Sequence, residues 1–149
     1  MADKNVHLKW FWTGLDDYLA KNKLKQTKQR RLIIEYFLGM KNHVDAEELY
    51  EIARRKGSNV GLATIYRTLN LLKDAGLVDQ NSFVNGRAVY EIAEPGQHHD
   101  HLICTSCGKV IEFANDKIED LQLEVAKSLG FQLSSHRLDL FGLCPHCQN

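Results

Sequence analysis

A chain of 149 residues, 44% of them hydrophobic, can bury a core for one domain or two small ones without disulfide support. The formal net charge is zero, yet residues 1–93 hold 15 Lys+Arg and 11 Asp+Glu while residues 94–149 hold 4 and 8, so a basic half suited to a polyanion precedes an acidic half suited to cations. The first residues, Met-Ala-Asp-Lys-Asn, lack the layout of a signal peptide, and no apolar run approaches the ~18 residues of a membrane span, which excludes a membrane role and predicts a cytoplasmic protein.

In chain order, Leu8 to Asn22 reads as a helix with Trp10, Phe11, Leu15, Tyr18 and Leu19 on its apolar side. Six basic residues follow between Lys21 and Arg31, and no acid occurs between Asp17 and Glu35. Such a run is either a solvated face or a phosphate contact. Thr27 suits the N-cap of a second helix, through about Gly39, that buries Ile33, Phe37 and Met40. His43 lies in a short connection, and Asp45 with Glu48 forms the pattern of a capping box for a third helix reaching Lys56, with Ala46, Leu49, Ile52 and Ala53 inward.

The fourth helix, Leu62 to Ala75, is the most informative of this half. Leu62, Ile65, Leu69 and Leu72 repeat at the helical period, while Ala63, Thr64, Tyr66, Arg67 and Asn70 occupy the opposite side. Small residues, an aromatic and an arginine suit a helix laid in a DNA groove, where Thr64 can touch a thymine methyl and Arg67 a phosphate or guanine. Leu77 to Phe83 and Arg87 to Ile92 then read as strands joined through Val84-Asn85-Gly86, since Asn-Gly favours a tight hairpin. Helices followed by such a hairpin predict a winged helix-turn-helix, with Arg87 near the wing tip. Glu94-Pro95-Gly96-Gln97 is a break, so the expected organisation is a DNA-binding domain over 1–93, a hinge over 94–97 and a second domain over 98–149.

The second half opens on His98-His-Asp-His101 and runs into Cys104-x2-Cys107; Cys144-x2-Cys147 closes it, and these are the four cysteines of the chain. Two matched pairs supply a complete thiolate shell for tetrahedral zinc, although disulfides or a redox couple can use the same pairs. If residues 98–101 are extended, His99 and His101 point one way and His98 and Asp100 the other, so one ribbon can serve two sites. An incidental polar loop is the plainer alternative. Asp116 is expected to cap a helix to about Leu129 with Ile118, Leu121, Val125 and Leu129 as its stripe, and Phe131 to Leu143 to form a last strand containing His136. A unit this small has little core of its own, which suits self-association. The fold class is therefore α+β: a winged helix-turn-helix domain, then a small α/β dimerisation domain with a four-cysteine zinc site.

With these parts located, the chain resembles the ferric uptake regulator family of bacterial metalloregulators. The matching stretches are Gly61-Leu-Ala-Thr-Ile-Tyr-Arg-Thr-Leu69, Asp74-Ala-Gly-Leu-Val78 and His98-His-Asp-His-Leu-Ile-Cys-Thr-Ser-Cys-Gly-Lys-Val-Ile-Glu-Phe113. The resemblance implies structural Zn(II) on Cys104, Cys107, Cys144 and Cys147. It implies a regulatory site between the domains on His43, Glu91, His99, His101 and Glu112, and an additional site on His98, Asp100, Glu119 and His136. Tyr66 and Arg67, with Lys25, are implied to contact a palindromic double-stranded operator, the protein acting as a homodimer or tetramer. The chain departs from the common pattern in its longer start, with Trp10-Phe11-Trp12, in Gln29 where a proline is frequent, and in the absence of a His- or acid-rich tail after Cys147.

Imidazoles and carboxylates suit Fe(II) or Mn(II) more than a thiolate-preferring zinc sensor, although Mn(II) or Zn(II) can fill such a site in vitro. The expected activity is thus an Fe(II)-dependent repressor of iron-uptake genes, not an enzyme. Within the family the alternative is a peroxide-sensing or manganese- or zinc-sensing member, against which Glu91 and Glu112 stand where aspartates typify the peroxide branch. A metallohydrolase or a metal-buffering protein is the alternative of another class.

Overall fold

The computed structural model describes residues 8–40, 43–82 and 86–149, and these contain five helices and six strands. They divide into two compact units, one of residues up to Ser82 together with Gly86–Pro95 and the other beginning at Gly96. No helix among the described residues is long and apolar enough to cross a membrane.

The first unit comprises α1 (Lys9–Lys21), α2 (Lys28–Gly39), β1 (Val44–Asp45), α3 (Ala46–Arg55), α4 (Leu62–Asp74), β2 (Val78–Ser82) and β3 (Ala88–Ile92). Local chemistry starts its helices. The Thr27 hydroxyl accepts from the Arg30 amide at 3.1 Å to open α2. Asp45 and Glu48 form a reciprocal capping box at α3: the Glu48 amide donates to Asp45 Oδ1 at 2.8 Å, and the Asp45 amide to Glu48 Oε2 at 3.1 Å. Each satisfied end amide contributes about 1 kcal/mol.

One core joins these elements: Phe11, Leu15 and Leu19 of α1, Ile33, Ile34 and Phe37 of α2, Ala46 and Leu49 of α3, and Ile65, Leu69 and Leu72 of α4, with Val44, Val78 and Tyr90 from the sheet. Full burial of each large apolar side chain is worth roughly 1.5–3 kcal/mol. Gly14 allows α1 to seat closely, since a methyl group there would stand 2.9 Å from Leu77 Cδ2. The sheet order is β1-β3-β2, antiparallel throughout, so β2 and β3 form the wing and β1 ties the chain ahead of α3 to it. This is a winged helix-turn-helix.

Two details differ from the sequence expectation, and a third cannot be compared. The two-residue strand β1 is too short to show a period. Met40, Ile52 and Leu62 are only half-buried, whereas Ile34 and Thr68 are buried; the Thr68 hydroxyl is satisfied by the Thr64 carbonyl at 2.9 Å, which makes an inward threonine tolerable. The Val84-Asn85 part of the expected hairpin turn lies outside the described residues, while Gly86 holds a φ of +70° that suits glycine.

The second unit contains β4 (Asp100–Cys104), β5 (Val110–Phe113), α5 (Asp116–Ser128) and β6 (Asp139–Gly142). β4 is central, antiparallel to β5 and parallel to β6. The cap of α5 is Asn115, not Asp116: its side chain accepts from the Lys117 and Ile118 amides, a geometry open to the residue still in extended conformation. The last strand is limited to Asp139–Gly142, because residues 131–138 have no regular structure. The stripe of α5 does not find a core in the single chain. Leu121 is 59% exposed, Val125 57% and Leu129 69%, and no residue of the helix is fully buried.

Candidate metal centres and nucleic-acid interface

The parallel β4–β6 pair sends both cysteine knuckles out at the same end. Cys104 ends β4 opposite Gly142 of β6, and Cys144 follows two residues later. Backbone turns shape the knuckles: the Gly108 amide donates to the Cys104 carbonyl at 3.0 Å, the Cys147 amide to that of Cys144 at 2.9 Å, and Gly108 adopts φ +74°. All four thiols are free, and their sulfurs lie within 4.8 Å of one another, with Cys107 and Cys144 at 3.9 Å. A tetrahedral zinc with bonds near 2.3 Å requires sulfurs about 3.8 Å apart, a spacing that the Cys107–Cys144 pair matches closely. The backbone amides of Cys107 and Cys144 hold the Cys104 thiol down to about 6, which favours the thiolate a metal needs.

On the ribbon before Cys104, alternation separates the side chains as the extended backbone requires. His98 Nε2 meets Asp100 Oδ1 at 2.9 Å and Glu119 Oε1 at 3.6 Å, and His136 Nε2 meets Glu119 Oε2 at 3.2 Å. The two imidazole centroids are 4.1 Å apart. Asp100 is 0% exposed and its Oδ2 is buried without a hydrogen-bond partner. A fully buried carboxylate grouped with Glu119 and two imidazoles, one ligand atom of each within 4.8 Å of the others, fits a cation of nitrogen and oxygen preference.

The remaining expected ligands occur as pairs within each unit. In the first, His43 Nε2 stands 3.1 Å from Glu91 Oε2, both largely buried, and Asn81 Nδ2 donates to Glu91 Oε1 at 3.0 Å. In the second, His101 lies directly opposite Glu112 across β4 and β5, and its Nδ1 is 3.2 Å from Asp139 Oδ1. His99 is exposed, its Nε2 3.3 Å from Gln97 Oε1. Asn81 and Asp139 are absent from the sequence reading, because nothing local marks a residue whose role comes from the strand beside it.

On α4, Ala63, Arg67 and Asn70 are exposed and Thr64 and Tyr66 half-buried, opposite Ile65, Leu69 and Leu72. Arg67 Nη2 donates to Thr64 Oγ1 at 3.2 Å, and the Tyr66 hydroxyl to Glu47 Oε1 at 3.4 Å. Burial and the Glu47 carboxylate raise the Tyr66 phenol's pKa. Arg87 reaches Asp45 and Glu47, each at 3.5 Å. Lys25 is exposed in the basic run, and its carbonyl receives Arg30 Nη1.

Comparison with known proteins agrees with these parts. A family model described as "Ferric uptake regulator family" matches residues 21–141. The chain is 48% identical over 122 residues to the ferric uptake regulation protein of Yersinia pestis, covering 81% of this chain and 82% of that one. It is 44% identical over 151 residues to that of Campylobacter jejuni, covering 100% and 96%. The crystal structure of the Helicobacter pylori ferric uptake regulator, described as having three functional metal binding sites, superposes with a TM-score of 0.84 at 35% identity, covering 95% of this chain and 94% of that one. With its winged helix and its ligand-rich second unit, the chain belongs to the ferric uptake regulator family, whose members are metal-responsive, DNA-binding transcriptional regulators that act as dimers and are not enzymes.

Proposed function

We propose that the protein is an Fe(II)-dependent repressor of iron-uptake genes, acting as a homodimer on a palindromic operator in the cytoplasm. The observation that carries this reading is the sorting of donors. All four cysteines meet in one cluster, so the regulatory ligands His43, Glu91, His99, His101 and Glu112 are imidazoles and carboxylates alone. Such a shell suits Fe(II) or Mn(II), and cellular availability selects iron over the tighter-binding zinc. The three sites proposed here match in number the three functional metal binding sites described for the Helicobacter pylori relative. Structural Zn(II) belongs on the cysteines, and His98, Asp100, Glu119 and His136 form the additional site.

When bound, the regulatory ion supplies a cross-link between ligands of the winged-helix domain and ligands of the dimerisation domain. His43 and Glu91 contribute from the first side of the 94–97 hinge, and His99, His101 and Glu112 from the other. Two recognition helices must enter the major groove about one duplex turn, 34 Å, apart. Ligands that hold the domains in that arrangement remove an ordering cost from DNA binding, a coupling of roughly 1–3 kcal/mol or 5- to 150-fold in affinity. Thr64, Tyr66 and Arg67 then meet base edges and backbone, with Lys25 on phosphate.

The test is an anaerobic titration of Fe(II), Mn(II) and Zn(II) against binding to a candidate palindrome, with zinc content counted separately. Metal-dependent affinity that His43→Ala and Glu91→Ala both remove, with cysteine-bound zinc retained, is the expected result. Equal operator affinity with and without Fe(II) in the intact protein refutes the reading.

A further inference from the structure

His101 sits on the central strand of its sheet and is 5% exposed. Glu112 faces it across the antiparallel pair and Asp139 across the parallel one. Asp139 Oδ1 stands 3.2 Å from His101 Nδ1 in a protected setting, the two side chains being 13% and 6% exposed. The other oxygen of the same carboxylate, Oδ2, accepts from Arg137 Nε at 2.6 Å and Nη2 at 2.5 Å. The guanidinium therefore anchors one oxygen of the carboxylate, and the other oxygen meets the imidazole.

A carboxylate can only accept, so the proton shared with His101 belongs to Nδ1. That leaves the lone pair on Nε2, the nitrogen then suited to a metal. We infer that Asp139 is a positioning residue for His101: with Arg137 behind it, it fixes the Nδ1–H tautomer and the ring orientation, and presents Nε2 as the coordinating atom. This rests on the proposal that His101 binds the regulatory ion. Supporting carboxylates of this kind typically change metal affinity 10- to 100-fold when removed. Asp139 is assigned a role apart from the ligands because its oxygens meet the imidazole and Arg137.

The inference is tested on the full-length, zinc-loaded protein with histidines labelled in nitrogen-15, above the titration range of imidazole and before any regulatory ion is added. His101 is expected in the Nδ1–H form in the wild type and in Asp139→Asn, whose amide oxygen still accepts, and in a mixture or the Nε2–H form in Asp139→Leu. Mn(II) titration followed by electron paramagnetic resonance is expected to show a 10- to 100-fold loss of affinity in Asp139→Leu and a smaller one in Asp139→Asn. A wild-type His101 in the Nε2–H form overturns the inference whether or not the leucine variant folds. Wild-type affinity in a folded Asp139→Leu overturns it too. So does an Asp139→Asn that binds as poorly as Asp139→Leu with its tautomer unchanged, because Asp139 is then a direct ligand. His101→Ala separates the inference from its premise: unchanged Mn(II) affinity there removes His101 from the regulatory site and overturns both, whereas a loss there with none in Asp139→Leu overturns the positioning role alone.

Discussion

Replacing Cys144 by serine asks how far the second unit depends on its cysteine cluster. Of its apolar residues, only Ile103 and Cys104 among the described ones are buried in the single chain, and burial of one isoleucine is worth roughly 1.5–3 kcal/mol. A metal held by the four sulfurs closes the segment from Cys107 to Cys144, a separation of 37 residues. Treated as a covalent cross-link, a closure of that length removes about 3.8 kcal/mol of unfolded-chain entropy. The apparent binding free energy of structural zinc in small knuckles, roughly 10–16 kcal/mol, already includes such closure and is larger still. The clasp therefore outweighs the unit's own core. Cys144→Ser is expected to purify without zinc, with its second unit open to limited proteolysis at residues 96–149. Both tryptophans, Trp10 and Trp12, belong to the first unit, so their fluorescence should still report a cooperative urea transition there. Zinc content by plasma mass spectrometry and the proteolytic pattern are the measurements. A variant that keeps its full complement of zinc, or resists protease as the wild type does, refutes the reasoning.

Asp45→Ala should lose the capping box of α3 and one carboxylate facing Arg87, a cost of about 1 kcal/mol and no more than about 2, read as a lower urea midpoint with unchanged slope. Leu69→Ala should cost roughly 2–5 kcal/mol because its side chain is wholly buried in the core. Arg67→Ala, on the exposed side of the same helix, should leave the melting temperature alone, weaken operator binding and, if the contact is to phosphate, flatten its salt dependence by about one ion. Asp100→Asn should lower the number of ions bound per chain in native mass spectrometry while the cysteine-held zinc remains; an unchanged count would show that the buried carboxylate holds none.

What could be read from the sequence was what depends on neighbours a few residues away. Thr27, and Asp45 with Glu48, act on amides three positions on, so their caps follow from spacing alone. That Asp100 and His101 fall on opposite faces of β4 needed nothing beyond the pleat of a strand. The stripe of α5 was legible as a pattern but not as burial, since a helical period says which side is apolar and not what covers it. Loose alternation over residues 131–143 cannot tell a strand from an extended connection, and β6 is shorter than that pattern. Asp139 escaped notice for a related reason. Its partner His101 is 38 positions away, and a parallel pairing carries no turn signal to announce it.

That parallel pairing also bears on how the chain avoids misassembly. Sliding β6 against β4 by one position would displace Cys144 by about 3.3 Å and turn its neighbours to the wrong face. Four sulfurs can then no longer surround one small ion, and the misaligned sheet forfeits its ligation energy. An ion held there would work as a proofreader, rewarding the alignment that also sets Asp139 beside His101.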